Sequence, residues 1–131
     1  MQNYQILCAN CEAKIATMPL FNIQDIPSCN LIDGYDAQFI HTANATYSHV
    51  KAAAGAVLPT HSHPQEQVSY ILDGSFELTV EDVKYVLEPG QVFVIPSNTM
   101  HSGRAITNCF ILDVFTPLRE DYREKGGINL G

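Results

Sequence analysis

Basic side chains are scarce in this chain. Seven Lys and Arg stand against 14 Asp and Glu, a formal net charge of −7. Nucleic-acid binding rests on Lys and Arg neutralising phosphate, so no nucleic-acid partner is expected, and an anionic membrane surface is disfavoured for the same reason. A small anionic ligand is not excluded, because one buried Arg can dominate its surroundings. Long apolar runs are missing too: none approaches the roughly 20 residues of a bilayer span. Residues 1–8 show no basic leader followed by an apolar stretch, so no signal peptide is expected and the expected compartment is the cytoplasm. Cysteine is sparse and poorly grouped. Cys8 and Cys11 form one CxxC pair, and Cys29 and Cys109 stand apart. A structural zinc site wants four ligands, and without a second pair the thiols are expected to be free and reduced.

What is present fits one domain. At 131 residues with 46% hydrophobic content, the chain can bury a core without disulfides. Short β-branched and aromatic runs, bounded by turn residues, recur along it. Strands are expected over 37–42, 46–53, 68–72, 76–80, 83–87, 91–95 and 109–115. Asp73-Gly74, Glu81-Asp82 and Glu88-Pro89-Gly90 read as the turns between them. Residues 11–18 read as a two-turn helix ended before Pro19. Thr116 and Pro117 read as the N-cap and first position of a short C-terminal helix, and the Gly126-Gly127 tail reads as loose. Many short strands at regular spacing indicate an all-β sandwich or barrel.

The histidines carry the chemistry. Among five in the chain, His61 and His63 are two residues apart, so on a strand they face the same way. His101 lies on a later strand. Three imidazoles and one amide can converge there on a metal ion and leave room for water or substrate. His41 and His49 stand alone and are expected to be ordinary strand residues.

A second group follows at 113–121. Alternation puts Ile111, Asp113 and Phe115 on one face and Phe110, Leu112 and Val114 on the other. An Asp within an apolar strand is costly to bury unpaired, so Asp113 needs a partner or a wet cavity. It can serve as a general acid or base, with Arg119 forking onto a substrate carboxylate. The alternative is an Asp113–Arg119 ion pair that only stabilises the C-terminal turn. Glu120, Asp121 and Arg123 read as a solvated helix face.

Two segments carry a family resemblance. Gly55, five residues, His61-Ser62-His63, three residues, Gln67, then Gly74 resembles the first cupin signature. Gly90, five residues, Pro96, then Asn98 and His101 resembles the second, with Asn98 where Gly is usual. The resemblance implies a single-domain cupin jelly-roll β-barrel over residues 1–131. The barrel core would span about residues 40–116, with an N-terminal extension over 1–30 and a short C-terminal helix. It implies metal ligands His61, His63, Gln67 and His101. Most metal-binding cupins carry Glu at the position of Gln67, and Glu66 sits next door, but the spacing favours Gln67. A neutral amide leaves a divalent ion its full charge, which favours Lewis-acid work over support of a higher oxidation state. His and amide ligands suit Zn, Ni, Fe or Mn.

Within the cupins, His61-Ser62-His63-Pro64 with Glu66-Gln67, the Ile95-Pro96-Ser97-Asn98 run, and Asp113-Val114-Phe115-Thr116-Pro117 with Arg119-Glu120-Asp121 resemble the KdgF-type pectin-degradation proteins. That resemblance implies conversion of 4,5-unsaturated uronates into linear keto forms, a sugar-acid substrate and a homodimer. Asp113 and Arg119 would be catalytic, and Phe115 and Arg119 would bind substrate. The family's usual His after Pro64 is Gln65 here. Two other readings stand beside it: a non-catalytic cupin that binds a sugar or other small molecule, and a metal-dependent dioxygenase.

Overall fold

The structure is a computed structural model that describes residues 4–7, 15–16 and 19–131. In chain order the strands are β1 (Tyr4–Leu7), β2 (Ile15–Ala16), β3 (Ser28–Ile32), β4 (Tyr35–His41), β5 (Thr46–Ala52), β6 (Val57–His61) and β7 (Glu66–Asp73). They continue with β8 (Phe76–Val80), β9 (Val83–Leu87), β10 (Val92–Ile95), β11 (His101–Ala105) and β12 (Cys109–Thr116), then helix α1 (Glu120–Lys125) and β13 (Gly127–Asn129). The larger sheet runs β10-β7-β12-β5-β4-β13-β1-β2, with β3 also on β4, and the smaller runs β6-β11-β8-β9. Their inner faces meet in a jelly roll, the all-β architecture expected from the strand spacing.

The inner faces supply one core. Tyr35, Ala37, Phe39, Val50, Ile71, Phe76, Leu78, Leu87, Ile95 and Ile111 are all buried in it. The period-2 pattern places them: β5 alternates buried and less buried residues from Thr46 to Ala52, as a strand with one face on a core must. The turn residues do what their chemistry permits. Glu81 and Asp82 both have positive φ, the backbone of a tight hairpin whose twist matches its strands. Asn98 has φ +58°, which explains why Asn can stand where the signature carries Gly.

Three expectations are corrected. Thr116 does not cap a helix: it remains in β12, paired with Glu66 of β7, and α1 begins at Glu120. Ladder pairing outweighs the local capping pattern. The C-terminal tail is not loose. Gly126, Gly127 and Ile128 are buried, and β13 pairs with both β4 and β1. A side chain at Gly127, φ +94°, would come within 2.6 Å of the Phe39 carbonyl, so this glycine permits close packing. Of the helix read over 11–18, Ile15–Ala16 form a strand and the rest lies outside the described residues, as do Cys8 and Cys11. No helix among the described residues is long and apolar enough to cross a membrane.

Candidate metal centre

Strand register brings the three histidines together. His61 ends β6, His101 opens β11, and the two are cross-strand partners. Against the expectation from the two-residue spacing, His63 does not share a strand with His61 but lies beyond the end of β6 in the link to β7. The rings stand with centroids 4.2 Å (His61–His101), 5.0 Å (His63–His101) and 5.8 Å (His61–His63) apart. One nitrogen from each lies within 4.8 Å of the others.

Backbone carbonyls fix which nitrogen each ring offers. Nδ1 of His61 meets the Pro59 carbonyl at 2.7 Å, Nδ1 of His63 that of Gln65 at 3.0 Å, and Nδ1 of His101 that of Thr99 at 2.8 Å. A carbonyl only accepts, so each Nδ1 carries the proton and donates it. Each Nε2 is left as a bare lone pair, the arrangement that orients imidazoles for a metal. Burial holds His101 down to about 4, and it lowers His63 as well, so both rings are neutral at pH 7. Nε2 of His101 is buried with no hydrogen-bond partner, which is costly unless something binds there.

Gln67 offers a fourth donor. Its Oε1 lies 3.0 Å from Nε2 of His63. With the His63 proton on Nδ1, two lone pairs face each other across that gap, which a shared cation would reconcile. The amide cannot turn round at no cost, because its Nε2 donates to Oγ of Ser69 at 3.0 Å, and Ser69 donates on to Oδ1 of Asp113 at 2.6 Å. Ser69 and Asp113 are paired across β7 and β12, as are Gln67 and Phe115. The donor set therefore fits a divalent transition metal: three neutral imidazoles and one amide oxygen with pre-set orientations.

Asp113 faces a cavity of about 50 Å³ at the barrel mouth, together with His61, Gln67, Ser69, His101 and Arg119. Its floor is apolar, built by Leu58, Ile71, Phe76, Leu78 and Ile111 among others. That setting raises the Asp113 carboxyl from 3.8 to about 6 through burial, against the opposing pull of Ser69, Gln67 and the Arg119 charge. Phe115 packs edge-on to His63, with centroids 5.4 Å apart.

Arg119 is buried at the same mouth but does not pair with Asp113. It forks onto Asp121, Nε to Oδ1 at 3.1 Å and Nη2 to Oδ2 at 2.5 Å. Asp121 is thus not simply a solvated helix residue: although exposed, it is the ion-pair partner of the Arg119 guanidinium. The guanidinium lies 3.6 Å over the Tyr122 ring and 4.9 Å from that of Phe115. The Arg119 N–H donates to Oγ1 of Thr46 at 2.9 Å, and that hydroxyl also meets Nδ1 of buried His41. His41 reaches the Gly126 carbonyl with Nε2. His41 is a core residue, as expected, and it secures the segment that carries Arg119. His49 is packed on Phe110 away from the site.

A cupin domain model matches residues 48–115, just over half the chain. The chain belongs to the cupin family. This cupin is 33% identical over 75 residues to the pectin degradation protein KdgF of Dickeya dadantii (strain 3937), covering 56% of this chain and 68% of that one. Among solved structures it resembles KdgF from Halomonas sp., with a TM-score of 0.76 and 31% identity, covering 81% of this chain and 99% of that chain. An RmlC-like cupin from Shewanella frigidimarina NCIMB 400 gives the same TM-score at 25% identity, covering 81% and 96%. The cupin signatures account for the histidines and for Gln67. They say nothing of Ser69 or Tyr122, which sequence reasoning missed. Ser69 is a single small residue inside an apolar strand, and only the β7–β12 register shows what it meets.

Proposed function

We propose that this cupin is a metal-dependent isomerase of small sugar acids, which converts 4,5-unsaturated uronates into linear keto forms in pectin breakdown. The observation that carries the reading is the placement of Asp113. One carboxylate, raised in pKa by burial, shares a cavity with His61, His101, Gln67 and Arg119, and the two imidazoles cluster there with that of His63. The relationship to two KdgF proteins, one of them called a pectin degradation protein, supports the substrate class.

His61, His63, His101 and the Gln67 amide oxygen would hold the ion. When bound, it would supply Lewis acidity toward a substrate oxygen. Arg119 takes the substrate carboxylate. Phe115 and Tyr122 wall the pocket and limit water. Asp113 accepts the anomeric hydroxyl proton as the ring C–O bond of the hemiacetal breaks to give an aldehyde and an enolate, and then returns that proton to the enolate carbon to give the ketone. It is well suited to both steps, because a group near 6 is mostly ionised at neutral pH yet basic enough to take a proton. Ser69 donates to its Oδ1 and so favours the ionised form at rest.

The protein also acts as a homodimer in this reading. The outer face of the larger sheet carries two apolar rows set by the register. One runs Val92, Tyr70, Leu112 and the other Val94, Val68, Val114, Tyr47. Tyr70, Leu72, Val92 and Val94 are 40–53% exposed, a contiguous patch of the kind that marks an interface.

The test is a proton NMR time course on an unsaturated galacturonate monomer, following the vinylic proton. Native metal-loaded protein should remove the signal faster than the spontaneous rearrangement, and Asp113→Asn should not. No acceleration by native metal-loaded protein would reject the substrate class.

A further inference from the structure

Arg119 is buried at 8% exposure, and a buried guanidinium needs a carboxylate beside it in the ligand-free protein. Asp113 does not make that fork; its Oδ1 accepts from Ser69 instead. Asp121 makes it, side-on and with both oxygens, the same planar pairing that a carboxylate ligand would use.

The two partners differ in how firmly they are held. The Arg119 side chain is 10% exposed and that of Asp121 is 59% exposed. The guanidinium lies over the Tyr122 and Phe115 rings, and Oγ1 of Thr46 accepts from the Arg119 backbone N–H. None of these contacts depends on Asp121. Asp121 sits in the first turn of α1, where backbone N–H groups, that of Tyr122 among them, stabilise its charge. Released from Arg119, it keeps those partners and gains water. Because the Asp121 side chain is 59% exposed, water can solvate its carboxylate as it leaves, while the buried guanidinium passes to another carboxylate and is not left unpaired.

We propose that Asp121 is a built-in stand-in for the ligand's carboxylate, holding Arg119 in the ligand-free protein and giving up the guanidinium to a sugar acid. The inference rests on the reading of Arg119 as the carboxylate anchor. Its consequence is discrimination. A neutral sugar has nothing to offer Arg119 in place of Asp121, whereas a carboxylate replaces one charged pair with another. Affinity for acids is lowered by the competition, and selectivity for them is kept.

The test is calorimetric titration of D-galacturonate and D-galactose into full-length zinc-loaded protein, with native fold checked by circular dichroism. Asp121→Asn should bind D-galacturonate roughly fivefold more tightly than the native protein, the ratio that corresponds to about 1 kcal/mol. Asp121→Ala should act in the same direction, D-galactose should be unaffected, and Arg119→Lys should lose most galacturonate binding. Equal or weaker galacturonate binding by both Asp121 variants, with Arg119→Lys still deficient, overturns the stand-in and leaves the anchor reading intact. Undetectable binding by both Asp121 variants also overturns the stand-in. Native-like galacturonate binding by Arg119→Lys rejects the anchor, and the stand-in with it.

Discussion

The amide oxygen of Gln67 lies 3.0 Å from Nε2 of His63, while its amide nitrogen donates to Ser69. The hydroxyl of Ser69 thus decides which end of the amide faces the histidines. In Ser69→Ala the amide is free to turn, and the metal site loses an oriented donor. Outer partners of this kind are worth roughly 10–100-fold in metal affinity, so a loss near tenfold is expected in chelator competition. His61→Ala and His101→Ala should lose the metal far more completely. Unchanged affinity in Ser69→Ala would remove Gln67 from the proposed ligand set.

Asp113 gives a pH prediction with two opposite faces. Its carboxyl is raised from 3.8 to about 6 in the fold, so the folded state holds the proton more strongly than the unfolded chain does. The charged form therefore destabilises the fold, fully above about pH 6 and not at all well below 3.8. Asp113→Asn should raise the thermal midpoint at pH 7.5, by on the order of 1–3 kcal/mol of stability, and the gap should close near pH 4. Activity runs the other way. In native protein kcat/KM should climb as pH rises through about 6, and Asp113→Asn should be about 10²–10⁴ lower with that limb gone. A variant both more active and more stable at pH 7.5 would contradict the assigned role.

The strands 76–80 and 83–87 were legible because their apolar alternation and the Glu81-Asp82 turn are local signals. β6 and β11 carry no such alternation, and only the histidine spacing pointed to strands there. Val57–His61 and His101–Ala105 contain Pro, Thr, Ser, Gly, Arg and the ligand histidines, so the chemistry of the site dilutes the strand signal where the site is built. The His spacing survived because cupin signatures preserve offsets. Ser69, Asp121 and Tyr122 were invisible for another reason. Their importance comes from contacts across β7–β12 and from the fold of the 117–119 link, and no sequence periodicity encodes either. Gly127 misled because glycine reads as slack, whereas here it lets β13 approach Phe39.

Metal removal should be felt most on the acid side. Burial lowers His101 from 6.5 to about 4, so the unfolded chain takes up that proton first. The stability this group provides is full above 6.5 and is lost as pH falls toward 4. The metal-free protein should therefore lose thermal stability steadily across that window, while metal that binds only the folded state opposes the loss by mass action. Because burial lowers His63 and His101 below the usual imidazole range, those two rings should release almost no protons on metal uptake at pH 7. Titration in buffers of different ionisation enthalpy measures that number directly, and release of two or more would show that the rings are charged beforehand.

The outer face of the larger sheet makes a last claim that can be checked without substrate. Val94 and Tyr70 lie on the adjacent strands β10 and β7 and point away from the core, and neither touches the metal site. Each is about half exposed, and together with Leu72 and Val92 they leave apolar surface in water that a second copy would cover at a gain of about 25 cal/mol per Å². A two-fold contact presents the same patch twice, so one charge introduced at Val94 enters the interface from both sides. Val94→Lys should convert a dimer to a monomer in light scattering, with the β-rich circular dichroism spectrum retained and metal affinity unchanged. Native protein that is monomeric at tens of micromolar would remove the homodimer. A dimer undisturbed by Val94→Lys and Tyr70→Lys together would move the interface to another face.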